Sequence, residues 1–300
     1  MINGILNIYK EKGYTSHDVV ARLRGIFGQK KIGHTGTLDP DAEGVLPVCL
    51  GRATKVCDLL TDKDKTYEAV LLLGKETDTQ DITGTVLKEC DPSEITEETA
   101  KKCIESFIGE YDQIPPMYSA LKVNGQKMCD LARKGKADTV EIKPRKVNIE
   151  KIEILNINDN KILFLVKCSK GTYVRSICHD IGEYLKCGGH MSFLLRTASG
   201  KFDLENSISL EELEQYYNDN TLENYLYDID YVLDNFKKVE LKESALNYYK
   251  NGGIIDSRRF INKNISKDDE YVRVYCNGEF IGSGKILKNN DAISLKSDKI

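Results

Sequence analysis

The sequence lacks any run of about 20 apolar residues, which excludes a membrane-spanning helix, and its N-terminus lacks the charged and apolar regions of a secretory signal. It also lacks an excess of charge of either sign, with 43 basic and 47 acidic side chains among 300 residues. Hydrophobic residues at 40% and charged residues at 30% are typical of a folded globular chain. We therefore expect a cytoplasmic protein with no membrane partner.

Closely spaced cysteine pairs are also missing. Nine cysteines are present, but no two of them stand close enough to form a Cys-x-x-Cys pair. The four histidines (His17, His34, His179, His190) show no paired metal-ligand spacing either. The cysteines are therefore expected to be structural free thiols, and no metal is expected.

The charges are unevenly distributed along the chain. Residues 203–236 hold ten acidic side chains and no basic one, whereas residues 113–151 hold nine basic and four acidic ones. Residues 237–300 are also net basic, with 13 basic and nine acidic side chains. The net charge of −4 therefore conceals two basic regions. Taken alone, such a charge run is more often a solvated face than a binding site.

The pattern of apolar residues predicts a mixed α+β fold. Strands are predicted at residues 4–9 and 67–73, a hairpin at 147–168, and helices after Thr15, over 96–108 and over 176–185. Strands and helices interleave without a regular βαβ rhythm, which favours a mixed sheet over a doubly wound parallel one. A domain boundary is predicted near residue 236, followed by a small β-barrel of about 60 residues with short strands and turns at Asn277-Gly278 and at 289–291.

Residues 33–47 hold three glycines and two prolines, which predicts an irregular loop. Pro40 biases Asp39 towards an extended backbone, which holds the carboxylate away from the local turn and makes it a candidate catalytic group. An acid with only local hydrogen bonds is the alternative. Calcium binding is a weaker alternative. Asp39, Asp41 and Glu43 fit the first half of an EF-hand loop, but Leu50 stands at the twelfth position, where an EF-hand has its bidentate glutamate.

Taken together, several motifs resemble a known family. They are GHTGTLDPDAEG (33–44), GRATK (51–55), KTY (65–67), LGKETDTQDITG (73–84), PPMYSALK (115–122), GTYVRS (171–176) and RTASGKF (196–202). In this order and over essentially the whole chain, they resemble the bacterial tRNA pseudouridine synthases of the TruB type.

The resemblance implies a fold, a reaction and a partner. It implies a pseudouridine-synthase domain over 1–236, with a mixed, largely antiparallel sheet, flanking helices and a thumb-like insertion at about 113–151. It also implies a PUA-like RNA-binding β-barrel over 237–300. The implied activity is an isomerase that converts the uridine at position 55, in the T-arm loop of tRNAs, to pseudouridine. This reaction conserves atoms without redox change and needs no cofactor. The expected partner is the tRNA T-arm, and the expected state is a monomer.

The resemblance also implies site residues. Asp39 matches the catalytic aspartate, Arg175 an arginine that would hold its carboxylate by bidentate hydrogen bonds, and Tyr67 the tyrosine that lies against uracil. Tyr67 is also a candidate for removal of the C5 proton. By family match, His34 fills the space left by flipped bases, and Tyr173 and Leu194 line the uracil pocket. The basic residues expected at RNA phosphates are Lys122, Lys127, Arg133 and Lys134.

Two departures from the family pattern are visible, and neither is expected to touch the reaction centre. Glu11 follows Lys10 where the family usually has proline, and Cys129 stands where it usually has an aromatic residue.

The first chemical step stays open among attack at C1′, addition at C6 and removal of the C2′ proton. A non-catalytic RNA-binding protein, or an enzyme with another RNA target, remains the alternative function. The acids of 203–236 are expected to face away from the RNA.

Overall fold

The structure is a computed structural model that describes residues 1–136, 141–262, 265, 271–289 and 292–298. The strands before residue 236 are β1 (Gly4–Lys10), β2 (Ile32–His34), β3 (Glu43–Leu50), β4 (Lys65–Leu73), β5 (Lys75–Thr77), β6 (Val86–Glu89), β7 (Gly109–Gln113), β8 (Lys122–Val123), β9 (Gln126–Lys127), β10 (Arg145–Asn158), β11 (Lys161–Cys168), β12 (Gly189–Ser199), β13 (Phe202–Asp203) and β14 (Leu226–Tyr227). The strands after it are β15 (Lys237–Leu241), β16 (Ile254–Asp256), β17 (Tyr271–Cys276), β18 (Glu279–Asn289) and β19 (Ala292–Asp298). The helices are α1 (Ser16–Phe27), α2 (Cys57–Thr61), α3 (Glu97–Glu105), α4 (Met128–Arg133), α5 (Val174–Tyr184), α6 (Leu210–Asn218), α7 (Ile229–Val232) and α8 (Leu246–Lys250).

One large sheet forms the centre of the molecule. Its strands follow the order β14-β1-β3-β12-β4-β11-β10-β7, with β2 beside β3 and β13 beside β12. The pair β3–β12 is parallel, and the other pairings found among the described residues of this sheet are antiparallel. The predicted mixed, largely antiparallel sheet is therefore confirmed.

Helices cover the sheet because its strands bury apolar side chains. Leu6 and Ile8 of β1 pack with α1 and α6, whereas Ile5, next to Leu6, packs on the opposite face beside α2 and α7. This alternation is the period-two pattern of a strand buried on both faces. In the other half of the sheet, α3 and α5 pack against β4, β10 and β11.

The structure confirms the local signals at helix ends. Thr15 and Asp18 form a reciprocal capping box before α1, and Gly28 ends that helix in the left-handed conformation with φ 62°. Thr96 caps α3, whose buried residues are Ala100, Cys103 and Ile104. These elements depend on contacts within a few residues, which is why the sequence predicts them.

The predicted loop at 33–47 is shorter than expected. Only residues 35–42 lie outside strands, because β3 begins at Glu43 and runs through Pro47. Proline lacks an N–H and is ordinarily confined to edge strands, yet Pro47 stands opposite Asn7 of β1. Its carbonyl accepts a hydrogen bond from the Thr35 amide at 3.1 Å, so the residue ties the remaining loop to the sheet.

A second sheet follows residue 236, in the order β15-β17-β18-β19-β16. The predicted closed barrel is not found among the described residues: β15 meets the segment after β16 through an isolated bridge between Leu241 and Phe260 and a few hydrogen bonds, such as that from the Ile261 amide to the Glu240 carbonyl at 2.7 Å, rather than through a strand pair. The predicted turn at Asn277-Gly278 joins β17 to β18, whereas that at 289–291 lies partly outside the described residues. Arg273 and Tyr275 of β17 both contact the Asp230 carboxylate, which joins this sheet to the acidic stretch.

Only part of the range 113–151, predicted as a thumb, forms elements apart from the main sheet. That part holds the β8–β9 hairpin and α4, whereas β10 belongs to the main sheet from Arg145 onward. Residues 137–140, within the predicted thumb, lie outside the described residues. Another two-stranded unit, β5–β6, spans 75–89 and carries the loop 78–85. In the part of the chain that the structure describes, no helix is both long and apolar enough to cross a membrane.

Candidate active site

Asp39 lies in the loop between β2 and β3, and this loop is fastened to the start of α1. The Leu38 amide donates to Ser16 Oγ at 2.9 Å, and the Gly13 amide donates to the Pro40 carbonyl at 2.9 Å. The buried Lys10 ammonium also donates to the Pro40 carbonyl, at 3.3 Å. The backbone on both sides of Asp39 is therefore held by the end of β1 and the first turn of α1.

The Asp39 carboxylate points to Arg175 rather than into its own turn. Its Oδ2 lies 3.1 Å from Arg175 Nε, which argues against an acid with purely local hydrogen bonds. Calcium binding in this loop is not supported: Glu43 accepts a hydrogen bond from Tyr9 at 2.9 Å, and Asp41 is exposed. Among the described residues, the loop acids do not form a group that could hold an ion.

The Arg175 side chain, 6% exposed, is shared among four partners. Nη1 donates to the Thr79 carbonyl at 3.1 Å and lies 3.3 Å from Asp81 Oδ2, and Nη2 donates to the Tyr118 carbonyl at 3.1 Å. The expected bidentate pair with Asp39 is therefore wrong, because a single nitrogen faces that carboxylate. The remaining donors fix the guanidinium plane, so that Nε is aimed at Asp39.

Opposing influences act on the Asp39 pKa. Burial raises it above the ordinary value, Arg175 lowers it, and the Asp81 carboxylate raises it again, with a net upward direction. Even so, 42% of the Asp39 side chain remains exposed, so the carboxylate can meet a ligand. The expectation that Arg175 would offset burial is met only in part. The site holds an accessible carboxyl group whose ionisation is favoured by two buried cations, first Arg175 and then Lys10.

Tyr67, on β4, stands directly opposite Arg196 of β12, and the nearby guanidinium lowers the pKa of the Tyr67 hydroxyl. Arg196 is fully buried, and its Nε donates to the Val45 carbonyl at 2.6 Å. Burial nevertheless raises the pKa of Tyr67, so its hydroxyl is hard to ionise. Gly44 lets the strands approach, since a Cβ there, at φ 106°, would lie 2.2 Å from the Arg196 carbonyl oxygen.

A cavity of about 680 Å³ opens over these residues. Asp39, Tyr67, Tyr173, Arg175 and Leu194 all line it, so the structure brings five of the six residues expected at the catalytic and substrate site to one place. The cavity also has seven basic lining residues against Asp39 as its one acid among the described residues. They are Lys65, Arg133, Arg145, Lys146, Lys170, Arg175 and Arg196.

Other expected residues lie elsewhere. His34, on β2, is not among the described residues that line the cavity; its ring packs edge-on against His17, with centroids 5.3 Å apart. Of the four expected phosphate contacts, Arg133 lines the cavity, whereas Lys122, Lys127 and Lys134 are exposed outside it. Cys129 lines the cavity, contrary to the expectation that this departure lies away from the reaction centre. No residue of 203–236 lines it.

The half-buried His34 gives a pH prediction. Burial, with His17 and Arg196 nearby, lowers its pKa to about 4, against about 6.5 in an unfolded chain. Because folding favours the neutral ring, its contribution is present above pH 6.5 and is lost as the pH falls towards 4. Between pH 7 and pH 5, we expect wild type to lose about 1–2 kcal/mol more unfolding free energy than His34→Gln. Urea unfolding at both pH values measures this, and equal losses would contradict it.

Sequence reasoning missed several residues of the site. Asp81 and Arg196 both lie within quoted motifs, LGKETDTQDITG and RTASGKF, but no role was inferred for them. The motif membership was therefore the available signal. Arg145 and Lys146 belong to the basic region 113–151 but were not singled out, and Lys170 carried no signal, because these residues reach the cavity only through the pairing of β10 and β11 with the rest of the sheet.

Comparisons with known families match this arrangement. A family model described as TruB family pseudouridylate synthase (N terminal domain) matches residues 24–174. A second, described as tRNA pseudouridylate synthase B C-terminal domain, matches residues 175–234.

Curated relatives are similar over the full length. The chain is 58% identical over 299 residues to tRNA pseudouridine synthase B of Clostridioides difficile (strain 630), covering 100% of this chain and 99% of that protein. It is 53% identical over 284 residues to the protein of the same name from Lachnoclostridium phytofermentans, covering 91% and 92%.

Solved structures of two assemblies share the fold. A chain from an H/ACA ribonucleoprotein bound to a substrate RNA containing 2′-deoxyuridine matches with a TM-score of 0.74 and 27% identity, covering 99% of this chain and 84% of that one. A chain of a Cbf5-Nop10-Gar1 complex matches with a TM-score of 0.74 and 29% identity, covering 98% and 83%.

Proposed function

Because this chain belongs to the TruB family of pseudouridylate synthases, we propose that it isomerises the uridine at position 55, in the T-arm loop of tRNAs, to pseudouridine. The observation that carries this proposal is the accessible Asp39 carboxylate beside the buried Arg175 in a basic cavity. The relatives that are named for tRNA support the choice of substrate.

The proposed reaction breaks the bond from ribose C1′ to uracil N1, turns the base and joins C1′ to C5. N1 gains a proton and C5 loses one, so the atoms balance without a cofactor. Asp39 supplies the carboxylate that starts the cleavage, and Arg175 favours its ionised form and orients it. The three possible first steps are attack at C1′, addition at C6 and removal of the C2′ proton. Each of them uses a carboxylate in this position.

Tyr67 is proposed to stack against the uracil rather than to act alone as the base. Its raised pKa disfavours the tyrosinate that would accept the C5 proton efficiently near neutral pH. Tyr173 and Leu194 add apolar surface on the same cavity. We propose that these three side chains hold the freed base while it turns, so that C5 rather than N1 meets C1′.

The cavity also suits a flipped nucleotide. Taking a base out of a stacked loop costs a few kcal/mol, and stacking on an aromatic side chain returns about 1–3 kcal/mol per base. Tyr67 and Tyr173 can therefore offset the cost inside the cavity. His34 lies two residues from the cavity-lining Gly36, whose amide donates to its Nδ1 at 3.3 Å, and is proposed to occupy the space left in the RNA loop.

The rest of the chain is proposed to hold the RNA. Lys122, Lys127, Arg133 and Lys134 would contact phosphates from the thumb. Residues 237–300 would act as a PUA-like RNA-binding domain beside a catalytic domain of residues 1–236. We propose a cytoplasmic monomer as the working form, in keeping with nine cysteines that are all free.

Mapping pseudouridine in tRNA tests the function. We expect incubation of the protein with unmodified bulk tRNA to produce pseudouridine at the T-loop uridine, as read by mass spectrometry of nuclease fragments. Modification at other positions only would show a different RNA target. RNA binding without any pseudouridine would favour a non-catalytic RNA-binding protein.

The salt dependence of binding tests the basic surface. Arg133 and Lys146 line the cavity with side chains 73% and 77% exposed. If each contacts a phosphate, the double variant Arg133→Ala/Lys146→Ala should reduce the slope of log K against log salt by about 1.4 to 1.8. Filter binding of a T-arm stem-loop at several salt concentrations measures this slope.

A matched control removes two other exposed cations. Lys101 and Lys102 of α3 form comparable surface pairs with Glu97 and Glu98 and do not line the cavity. Lys101→Ala/Lys102→Ala should leave the slope unchanged. A slope equally reduced in both double variants would show a general charge effect rather than contacts at this surface.

A further inference from the structure

One group of potential metal ligands lies outside the cavity. Among the described residues, Glu76 of β5 and His179 and Glu183 of α5 have ligand atoms within 4.8 Å of one another. They come from two elements about 100 residues apart in the chain, which is why the spacing of the histidines gave no sign of them. Glu76 and His179 are half-buried, whereas Glu183 is exposed, so an ion could enter from the solvent.

The distances fit a tetrahedral ion. His179 Nε2 lies 3.3 Å from Glu76 Oε1. Nitrogen and oxygen ligands held about 2.0–2.2 Å from zinc in tetrahedral geometry stand about 3.4 Å apart. This pair therefore needs almost no movement to share an ion, and Glu183, one turn further along α5, needs only a rotation of its exposed side chain.

The other nitrogen of the imidazole is already occupied. His179 Nδ1 lies 3.2 Å from Asp180 Oδ1. With Nδ1 donating to a carboxylate, Nε2 can coordinate a metal that replaces the proton between it and Glu76, and the ring then has the arrangement in which metal-binding histidines are generally found. The neighbouring residue thus orients the ring for coordination at the nitrogen that faces Glu76.

We propose that Glu76, His179 and Glu183 form a Zn²⁺ site whose fourth ligand is water. One imidazole with two carboxylates suits zinc, which takes nitrogen and oxygen ligands in a four-coordinate geometry. Mg²⁺ and Ca²⁺ prefer oxygen ligands only and more of them, so they should bind weakly here.

Such a site would hold together two elements that meet at Arg175. His179 stands four residues after Arg175 on α5, hence on the same face of the helix. Glu76 stands just before the loop that carries Thr79 and Asp81, both of which contact the Arg175 guanidinium. An ion at this site would therefore link β5 to α5 one helical turn from the Arg175 contacts. It would stabilise the position of these two elements relative to each other.

Metal binding by the full-length protein tests the proposal. We expect equilibrium dialysis to give one Zn²⁺ per chain in the presence of excess Mg²⁺. His179→Gln and Glu183→Gln should weaken binding by more than about 100-fold, and Asp180→Asn by about 10- to 100-fold as an outer-shell partner. Zinc should also raise the thermal unfolding midpoint of wild type but not of Glu183→Gln.

Glu183 is exposed, so its substitution does not threaten folding and keeps the test decisive. Glu214→Gln, at the surface pair with Arg22, is the matched control and should bind zinc as wild type does. Co²⁺ should give a tetrahedral visible spectrum without a thiolate charge-transfer band. Lack of stoichiometric binding, a thiolate band from the free cysteines, or unchanged affinity in Glu183→Gln would each overturn the site.

Discussion

Asp39→Asn is expected to reduce pseudouridine formation by three to four orders of magnitude, the upper end of what one positioned acid–base group contributes. The amide keeps the size of the side chain but lacks the negative charge that every proposed first step requires. Tritium release from tRNA labelled at uridine C5 measures the effect. Because the net pKa shift of Asp39 is upward, its ionised form is less favourable in the folded chain than in the unfolded one, so removing the charge should not lower the unfolding free energy.

Asp41→Asn is the matched control, since Asp41 lies two residues away in the same loop and is exposed. This variant should release tritium at close to the wild-type rate. Both variants should bind the T-arm with similar affinity, because neither removes a cation. Near-normal tritium release by Asp39→Asn would show that this carboxylate is not the reacting group.

The sequence predicted those parts of the fold that depend on neighbouring residues. The capping box before α1 and the apolar period of β4 are read within a few positions, and both are confirmed. The motif around Asp39 identified the loop, and the motif GTYVRS identified Arg175, so the pairing of these two side chains could also be anticipated. The sequence did not show that the Arg175 guanidinium also contacts Thr79, Asp81 and Tyr118.

The central strand β12 could not be predicted in the same way. It buries the polar residues His190, Arg196 and Ser199, and two register shifts interrupt its pairing with β4. No clean alternation is therefore left to recognise. Arginine is almost never fully buried unless it is paired, and the partners of Arg196 come from Gly36, Val45 and Tyr67, all more than 100 residues away.

The charge of the active site could not be predicted from the total charge either. A net charge of −4 gives no reason to expect a basic cavity, and the acidic stretch 203–236 gives a further reason against one. In the folded chain, none of those acids lines the cavity, whereas seven basic residues from distant segments do. Local electrostatics at the site depends on strand order rather than on the total charge, since pairing β10 and β11 beside β4 brings these cations together.

Arg175→Lys is expected to lower kcat/KM by about 10²- to 10³-fold, the cost of losing one preorganised donor. Lysine keeps the charge but cannot reach Asp39, Asp81 and two backbone carbonyls at once. The contacts left unmade in this buried site should lower the unfolding free energy by about 2–3 kcal/mol. Because Arg175 lowers the pKa of Asp39, weakening that contact should raise the pKa further, and the acid limb of the kcat/KM profile should move to higher pH.

Arg22→Lys is the matched control, because Arg22 forms a pair of similar length, 3.0 Å, with Glu214, but at the surface. An exposed pair contributes little, so this variant should lose less than about 1 kcal/mol and keep its pH profile. Loss of stability in Arg175→Lys with an unmoved acid limb would mean that Arg175 supports the fold without governing the ionisation of Asp39. A joint shift of stability and acid limb would show that one buried cation performs both tasks.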